Sequence, residues 1–472
     1  MFCVVDSIKT VNDAVNNFVW GPVMLAIFLL VGLMLTLRTG IFQVTKIKLW
    51  FQSTILACIR KKSVRKTEDE HAISQFQSLC TALAATIGTG NIAGVATAIV
   101  TGGPGAVFWM WLSAFLGMMT SFAENTLGIR YRYKDKNGHW VGGAMIYMER
   151  GLGWKWLAVI FSVFCALASF GIGNMTQANS IADGLDNSFG IPPYITGIVL
   201  MIFISLVVVG GIKRIASVTE KLVPFMAITY LIGALVIIGM NISHVPEAFA
   251  TIFREAFQLK AAGGGVLGYG IALAMKQGIA RGVFSNEAGL GSSVMVNSAS
   301  DVKEPVVQGM WGIFAVFTDT IVVCTITALT ILTTNIYNQE TYLKAIEAGQ
   351  DVVSGAALTS QSFASTIPFG DKFVAIAIVL FAFSTILGWS YYGERAIAYL
   401  FGGKAILIYK IAFIGMIFVG CISSLDLVWK ISDTFNGLMA VPNLLAVALL
   451  SGEVVKLTRD YLKRRREGSL EE

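Results

Sequence analysis

The stretch from Thr81 to Val100, TALAATIGTGNIAGVATAIV, is apolar enough to lie in a bilayer, yet Gly88, Thr89, Gly90 and Asn91 interrupt it near its centre. Glycine weakens a helix interior by about 1 kcal/mol relative to alanine. The run therefore predicts a membrane helix broken at mid-depth. Irregular backbone at that depth persists only where it is buried in protein or lines a cavity. The break is either a binding site or a close glycine contact between packed helices.

The surrounding 472 residues are 55% hydrophobic and 14% charged, and apolar runs near the roughly 20 residues that span a bilayer recur along the chain. This pattern predicts an all-α polytopic membrane protein with eleven transmembrane helices. Their ranges are near 18–37, 75–100, 105–128, 154–185 and 191–210, a sixth ending near 241, a seventh within 261–284, then 305–334, 373–395, 405–423 and 428–455. The formal charge of +6 sits in short loops and a tail rather than on one soluble face, so nucleic acid is not an expected partner. Basic loops after spans one, three and five, with the basic tail, place those segments in the cytoplasm and the N-terminus outside a cell membrane. The first apolar run is too long for a signal-peptide core and reads as a retained helix. Residues 42–61 mix apolar and basic positions, as in an amphipathic helix on the inner membrane surface or a loop packed on the bundle. The six cysteines are dispersed and read as small buried hydrophobes.

A second candidate break falls in span seven, where Lys276, Gln277 and Gly278 interrupt the hydrophobic pattern. Spans two and seven are five apart, so they cross the membrane in opposite directions. That arrangement marks an inverted repeat, with a site at mid-membrane between unwound segments of the two halves. The chain divides accordingly into an N-terminal helix with a basic amphipathic segment (1–71), a first repeat (72–241), a second inverted repeat (242–455) and a basic tail (456–472). His71, His139 and His244 lie in loops and form no HExxH cluster, so the chain does not read as an enzyme. Nothing resembles a TVGYG filter, which disfavours an ion channel.

Three runs carry a family resemblance: GTGNIAGVATAI, GGPGAVFWMWLSAFLG at Gly102 to Gly117, and GVFSNEAGLGSS at Gly282 to Ser293. They resemble the alanine or glycine:cation symporters, also called sodium:alanine symporters, and the resemblance covers nearly the whole chain. It implies a leucine-transporter-like fold, a 5+5 inverted repeat preceded by one extra helix. It also implies sodium-coupled uptake of small neutral amino acids such as alanine and glycine, with sodium as the co-transported ion and no organic cofactor. The simplest assembly is a monomer.

A zwitterion needs both charges held, because either one unpaired in apolar surroundings costs several kcal/mol, roughly. Free N–H groups near Thr89, Gly90 and Asn91 suit the carboxylate. Carbonyls near Lys276 to Gly278 suit the ammonium, with Gln277 able to bond either group. Phe170 and Trp389 are candidate walls of the pocket, or simply packed aromatics. The leucine-transporter-like fold implies a sodium site made of the Ala84, Ile87 and Phe381 carbonyls with the Ser384 and Thr385 hydroxyls. Read without the resemblance, those two hydroxyls equally suit bonds to their own helix.

An ionised Lys276 at membrane depth costs about 2.5–3.5 kcal/mol and calls for a partner, for which Asp319 is the candidate. The alternative is a proton carrier, which would make uptake proton-coupled or cation-independent. Glu124 reads as a structural contact, and Glu287 as a helix cap or an inner gate.

Overall fold

A computed structural model describes residues 2–470 apart from 137, 259–268, 349, 351 and 424–425. Among the described residues, seven helices are long and apolar enough to cross a membrane, or nine if two bent pairs each make one crossing. The seven are Lys9–Arg38, Ala106–Tyr131, Lys155–Phe189, Gly211–Met240, Pro305–Thr333, Gly370–Phe401 and Ala405–Ile422. Prolines stand in the first turn of the Pro22–Arg38, Pro193–Val208 and Pro305–Val316 helices, where the missing N–H is one a helix start leaves unpaired anyway.

The packing separates central from peripheral helices. In Gly370–Phe401, 72% of the apolar window is buried, against 33% in Gly211–Met240 and 28% in Ala405–Ile422. The last two turn Ile228, Ile232, Leu407 and Ile411 outward. Such apolar exposure suits lipid, whose tails are as apolar as leucine.

The two bent pairs are Gln75–Thr86 with Gly90–Gly102, at 50°, and Trp429–Leu449 with Ser451–Arg466, at 56°. The first is the break expected from Gly88–Asn91. The second turns the basic tail, from Ser451 to Arg466, into a helix leaving the last span.

Two local expectations are corrected. The break at Lys276–Gly278 is absent, because Tyr269–Asn286 is one continuous helix through those residues. The chain unwinds later, between Asn286 and Val294, with Glu287, Gly289 and Gly291 all at positive φ. Residues 42–61 form no single amphipathic helix but successive short ones, Phe42–Thr45, Ile47–Ser53 and Ile55–Arg60. Trp50 anchors them, buried with its indole donating to the Gln43 carbonyl at 3.0 Å.

Connections gather at two ends. Lys134 meets Asp69 at 2.9 Å, and Arg464 meets Glu304 at 2.7 Å. Arg132 donates to the carbonyls of Ser298, Ser300 and Val302. These contacts put the segments after Arg38, Tyr131 and Asn286 beside the C-terminal helix, on what is here the tail side. At the opposite end Gln339 donates to Glu255 at 3.0 Å, and Lys430 lies 3.6 Å from Asp13.

Candidate functional site

The Gln75–Thr86 helix opens on a capping box, Ser74 accepting from the Gln77 N–H while its own N–H donates to Gln77 Oε1. It stops at Ile87, and winding resumes as a π turn, Gly90–Gly94, before the α-helix Val95–Gly102. Two further π turns, Gly171–Met175 and Phe317–Cys324, interrupt neighbouring helices. Such turns are frequent at functional sites.

Gly88 is required by a close approach: a Cβ there would stand 2.5 Å from Thr385 Oγ1. Its N–H donates to Asn91 Oδ1 at 2.9 Å, and Asn91 Nδ2 donates to Asp319 Oδ1 at 2.8 Å. Asp319 also accepts from Thr320 Oγ1 at 2.7 Å. Asn91 thus braces the break against the Pro305–Thr333 helix, and its side chain is fully engaged. Thr89 and Gly90 keep N–H groups of the kind a helix start leaves without partners.

Four of the five atoms expected to hold sodium converge here. Ser384 Oγ lies 3.3 Å from the Ala84 carbonyl oxygen and 2.8 Å from that of Phe381. Thr385 Oγ1 lies 3.1 and 2.9 Å from the same two oxygens. All four residues are buried, as is Ile87, the fifth. The hydroxyls bond their own helix, through Phe381, and also reach across to Ala84 of the broken span. The four atoms are uncharged oxygens, which suit a hard monovalent cation, with the Met226 sulfur 3.5 Å from Ser384 Oγ.

Beside it lies a cavity of about 20 Å³ lined by Thr89, Gly90, Gln177, Phe284, Glu287 and Trp389, among others. That volume holds about one water. Thr89, Gly90 and Phe284 also line a far larger open cavity of about 820 Å³ on the side away from the tail. Thr89 Oγ1 donates to Gln177 Oε1 at 3.1 Å. Glu287 accepts from Ser292 Oγ at 2.5 Å. Asn436, another lining residue, has a buried Oδ1 without a hydrogen-bond partner.

Of the sequence-derived candidates, Thr89, Gly90 and Trp389 line the small cavity and Asn91 stands behind it. Phe170 instead packs edge-on against Tyr409 and tilted against Phe413, with ring centroids 5.2 and 6.1 Å away. Gln277 and Gly278 lie elsewhere: Gln277 packs on Gly102, and a Cβ on Gly278 would stand 2.2 Å from the Ala106 carbonyl oxygen. Both belong to a helix contact at the Gly102 end of the broken span. Lys276, half-buried at the same level, has no ion pair with Asp319, whose partners are Asn91 and Thr320. Glu287, Phe284, Gln177 and Asn436 were missed as site residues. The signal for the first two was present in the GVFSNEAGLGSS run.

The tail side is sealed by polar contacts. Ser78 and Gln308 both donate to Asn297 Oδ1, at 3.0 and 2.9 Å, and Asn297 Nδ2 donates to Asn125 Oδ1 at 2.8 Å. Deeper in, Glu124 accepts from the N–H groups of Gly289 and Gly291 and from Asn443, so it clasps the unwound segment as a structural contact. On the far side, Arg281, which lines the large cavity, makes a loose 4.0 Å pair with Asp433.

A helix broken at mid-depth, an oxygen cluster at the break and a cavity open to one side define a multi-pass membrane protein of leucine-transporter-like fold. The architecture is similar to that of the crystal structure of MhsT in complex with L-phenylalanine, at a TM-score of 0.55 and 14% identity, over 82% of this chain and 98% of that one. The sequence pattern of the Sodium:alanine symporter family matches residues 5–472, and the chain belongs to that family. Relatives include the sodium/alanine symporter AgcS of Methanococcus maripaludis, 48% identical over 97% of each chain. Another is the probable sodium/glutamine symporter GlnT of Bacillus subtilis, 37% identical over 96% of this chain and 90% of that one.

Proposed function

We propose that this chain takes up small neutral amino acids, alanine or glycine, together with sodium by alternating access. The observation that carries the reading is the convergence of Ala84, Phe381, Ser384 and Thr385 oxygens on the point where the second span loses its winding. Sodium at that point, with Ile87 as a further ligand, ties the broken span to the Gly370–Phe401 helix. The amino acid sits alongside. Its carboxylate meets the N–H groups of Thr89 and Gly90 at a positive helix end. Its ammonium meets Glu287 and the carbonyl end of the Tyr269–Asn286 helix, with Asn436 in reach. Trp389 and Phe284 wall the side-chain space.

Counting each bent pair once and adding Pro193–Val208 and Tyr269–Asn286 gives eleven crossings. The proposed arrangement is one leading helix and two inverted repeats, spans two to six (72–241) and seven to eleven (242–455), followed by the basic tail. The tail side is then cytoplasmic and the N-terminus external, so the large cavity faces outward. Glycines at positive φ let span seven unwind opposite the break in span two, as an inverted repeat requires. Lys276 lies level with the outer end of span two, so a proton route through it loses its premise. A membrane potential of about 100 mV contributes roughly 2.3 kcal/mol per sodium, or about fifty-fold accumulation.

Radiolabelled alanine uptake into proteoliposomes, with sodium, proton and voltage gradients imposed separately, tests this. Accumulation driven by sodium supports it. Equal uptake under a proton gradient with sodium absent overturns it.

A further inference from the structure

The helix Ser451–Arg466 carries more cations than its own contacts use. Each acidic side chain along it is already matched: Glu453 with Arg130 at 3.2 Å, Asp460 with Arg464 at 2.8 Å and Glu467 with Lys463 at 4.0 Å. Arg464 also takes Glu304. Lys456, Arg459, Arg465 and Arg466 have no ion pair among the described residues, and all four are exposed.

The unmatched cations are not scattered. Lys456 and Arg459, three apart, and Arg466, seven further on, form one stripe, with Arg465 beside its end; the buried residues of the helix are Ser451, Val454, Val455, Thr458 and Tyr461. The stripe borders two grooves. One, of about 410 Å³, brings Lys456 and Arg459 together with Arg38 at the end of the first apolar helix. The other, of about 380 Å³, brings Arg465 and Arg466 together with Lys46 and Lys48. No acidic residue lines either groove, and both fall in the size range of small-ligand sites, about 300–1,000 Å³.

What surrounds them identifies the occupant. The short helices that supply Lys46 and Lys48 expose Ile41, Val44, Ile47 and Phe51, each at least 40% accessible, and Leu49 and Leu462 line the second groove itself. Unmatched cations beside outward-turned apolar side chains, where a helix bends by 56° out of the apolar span, describe the boundary between lipid tails and headgroups. A soluble anion has no use for that apolar rim.

We propose that these two grooves bind the phosphate headgroups of anionic phospholipids, with the acyl chains lying against the exposed apolar residues of the 41–51 segment. Lipid seated there holds the C-terminal helix against the short helices that follow the first span.

The test uses the full chain in nanodiscs of phosphatidylcholine with a minority of phosphatidylglycerol. Native mass spectrometry of the released protein counts retained lipid. The expected result is selective retention of phosphatidylglycerol, falling roughly fivefold for each cation removed in Lys46→Gln/Lys48→Gln/Arg465→Gln/Arg466→Gln and in Arg38→Gln/Lys456→Gln/Arg459→Gln. Arg465→Lys/Arg466→Lys keeps the charge and keeps the lipid, as does Lys213→Gln/Arg214→Gln, an exposed pair in the first turn of the Gly211–Met240 helix. Thermal unfolding in detergent confirms that each variant is folded. Retention without preference for the anionic lipid, equal loss in the Lys213/Arg214 variant, or displacement by millimolar inorganic phosphate overturns the proposal.

Discussion

The two halves of the broken second span meet different surroundings. Gln75–Thr86 is tied by Ser78 to Asn297, 219 residues away, and through Asn297 to Gln308 and Asn125. Gly90–Gly102 borders an open cavity of about 820 Å³, beside which Arg281, one of its lining residues, makes a loose 4.0 Å pair with Asp433. At about 1 kcal/mol for each buried hydrogen bond, the three Asn297 bonds hold the tail side shut by roughly 3 kcal/mol, near 150-fold. One half is therefore a clasp that must be undone for release. The other half lines the open cavity through Gly90, Ala93, Gly94 and Thr97. The hinge between them, Ile87 to Thr89, is where the oxygens proposed to hold sodium converge, so under that proposal ion occupancy is read directly by the residues that bend.

The largest expected effect strikes that hinge. Gly88→Val drives a side chain into Thr385 and abolishes sodium-driven alanine uptake, whereas Gly94→Ala, with nothing within 4 Å of its Cβ, stays within about twofold. Equal loss in both variants, with folding retained, would break the distinction between hinge and cavity wall. Next, Thr385→Ala raises the sodium concentration for half-maximal uptake by about tenfold or more, since a hydrogen-bonding group lost from a charge costs roughly 1.5–3 kcal/mol. Thr385→Ser keeps the hydroxyl and the affinity. Asn297→Ala loosens the clasp. Hydrogen exchange across Gln75–Thr86 is expected to speed up by about tenfold while Gly90–Gly102 is unchanged; uniform acceleration would mean global destabilisation instead. The smallest effect separates two aromatics. Phe284→Ala relaxes discrimination between alanine and leucine by about tenfold, and Phe170→Ala leaves the ratio within about twofold.

The first break was legible because two glycines and an asparagine cannot sit in an apolar run without a reason. The second was misplaced. Lys276 and Gly278 look disruptive in a hydropathy pattern, but a helix tolerates both, and Gly278 serves close packing against Ala106. The true unwinding, at Glu287 to Ser293, lies in a run recognised for its family resemblance but not read for its backbone, although its alternating glycines carry φ of +94° and +72°. Phe170 and Phe284 are indistinguishable by composition, and only the packing puts one against Tyr409 and the other at the cavity. The clasp was invisible for another reason. Ser78, Asn125, Asn297 and Gln308 are ordinary polar residues until the fold brings them together, and each lies in a separate segment of the chain.

The most direct test of the central claim is the alanine affinity of the purified protein, measured by equilibrium binding across a range of sodium concentrations. The account predicts that alanine binds more tightly as sodium rises, that alanine tightens sodium by the same factor, and that Thr385→Ala flattens the dependence while leaving the sodium-free affinity in place. An alanine affinity indifferent to sodium in the unmodified chain would contradict it.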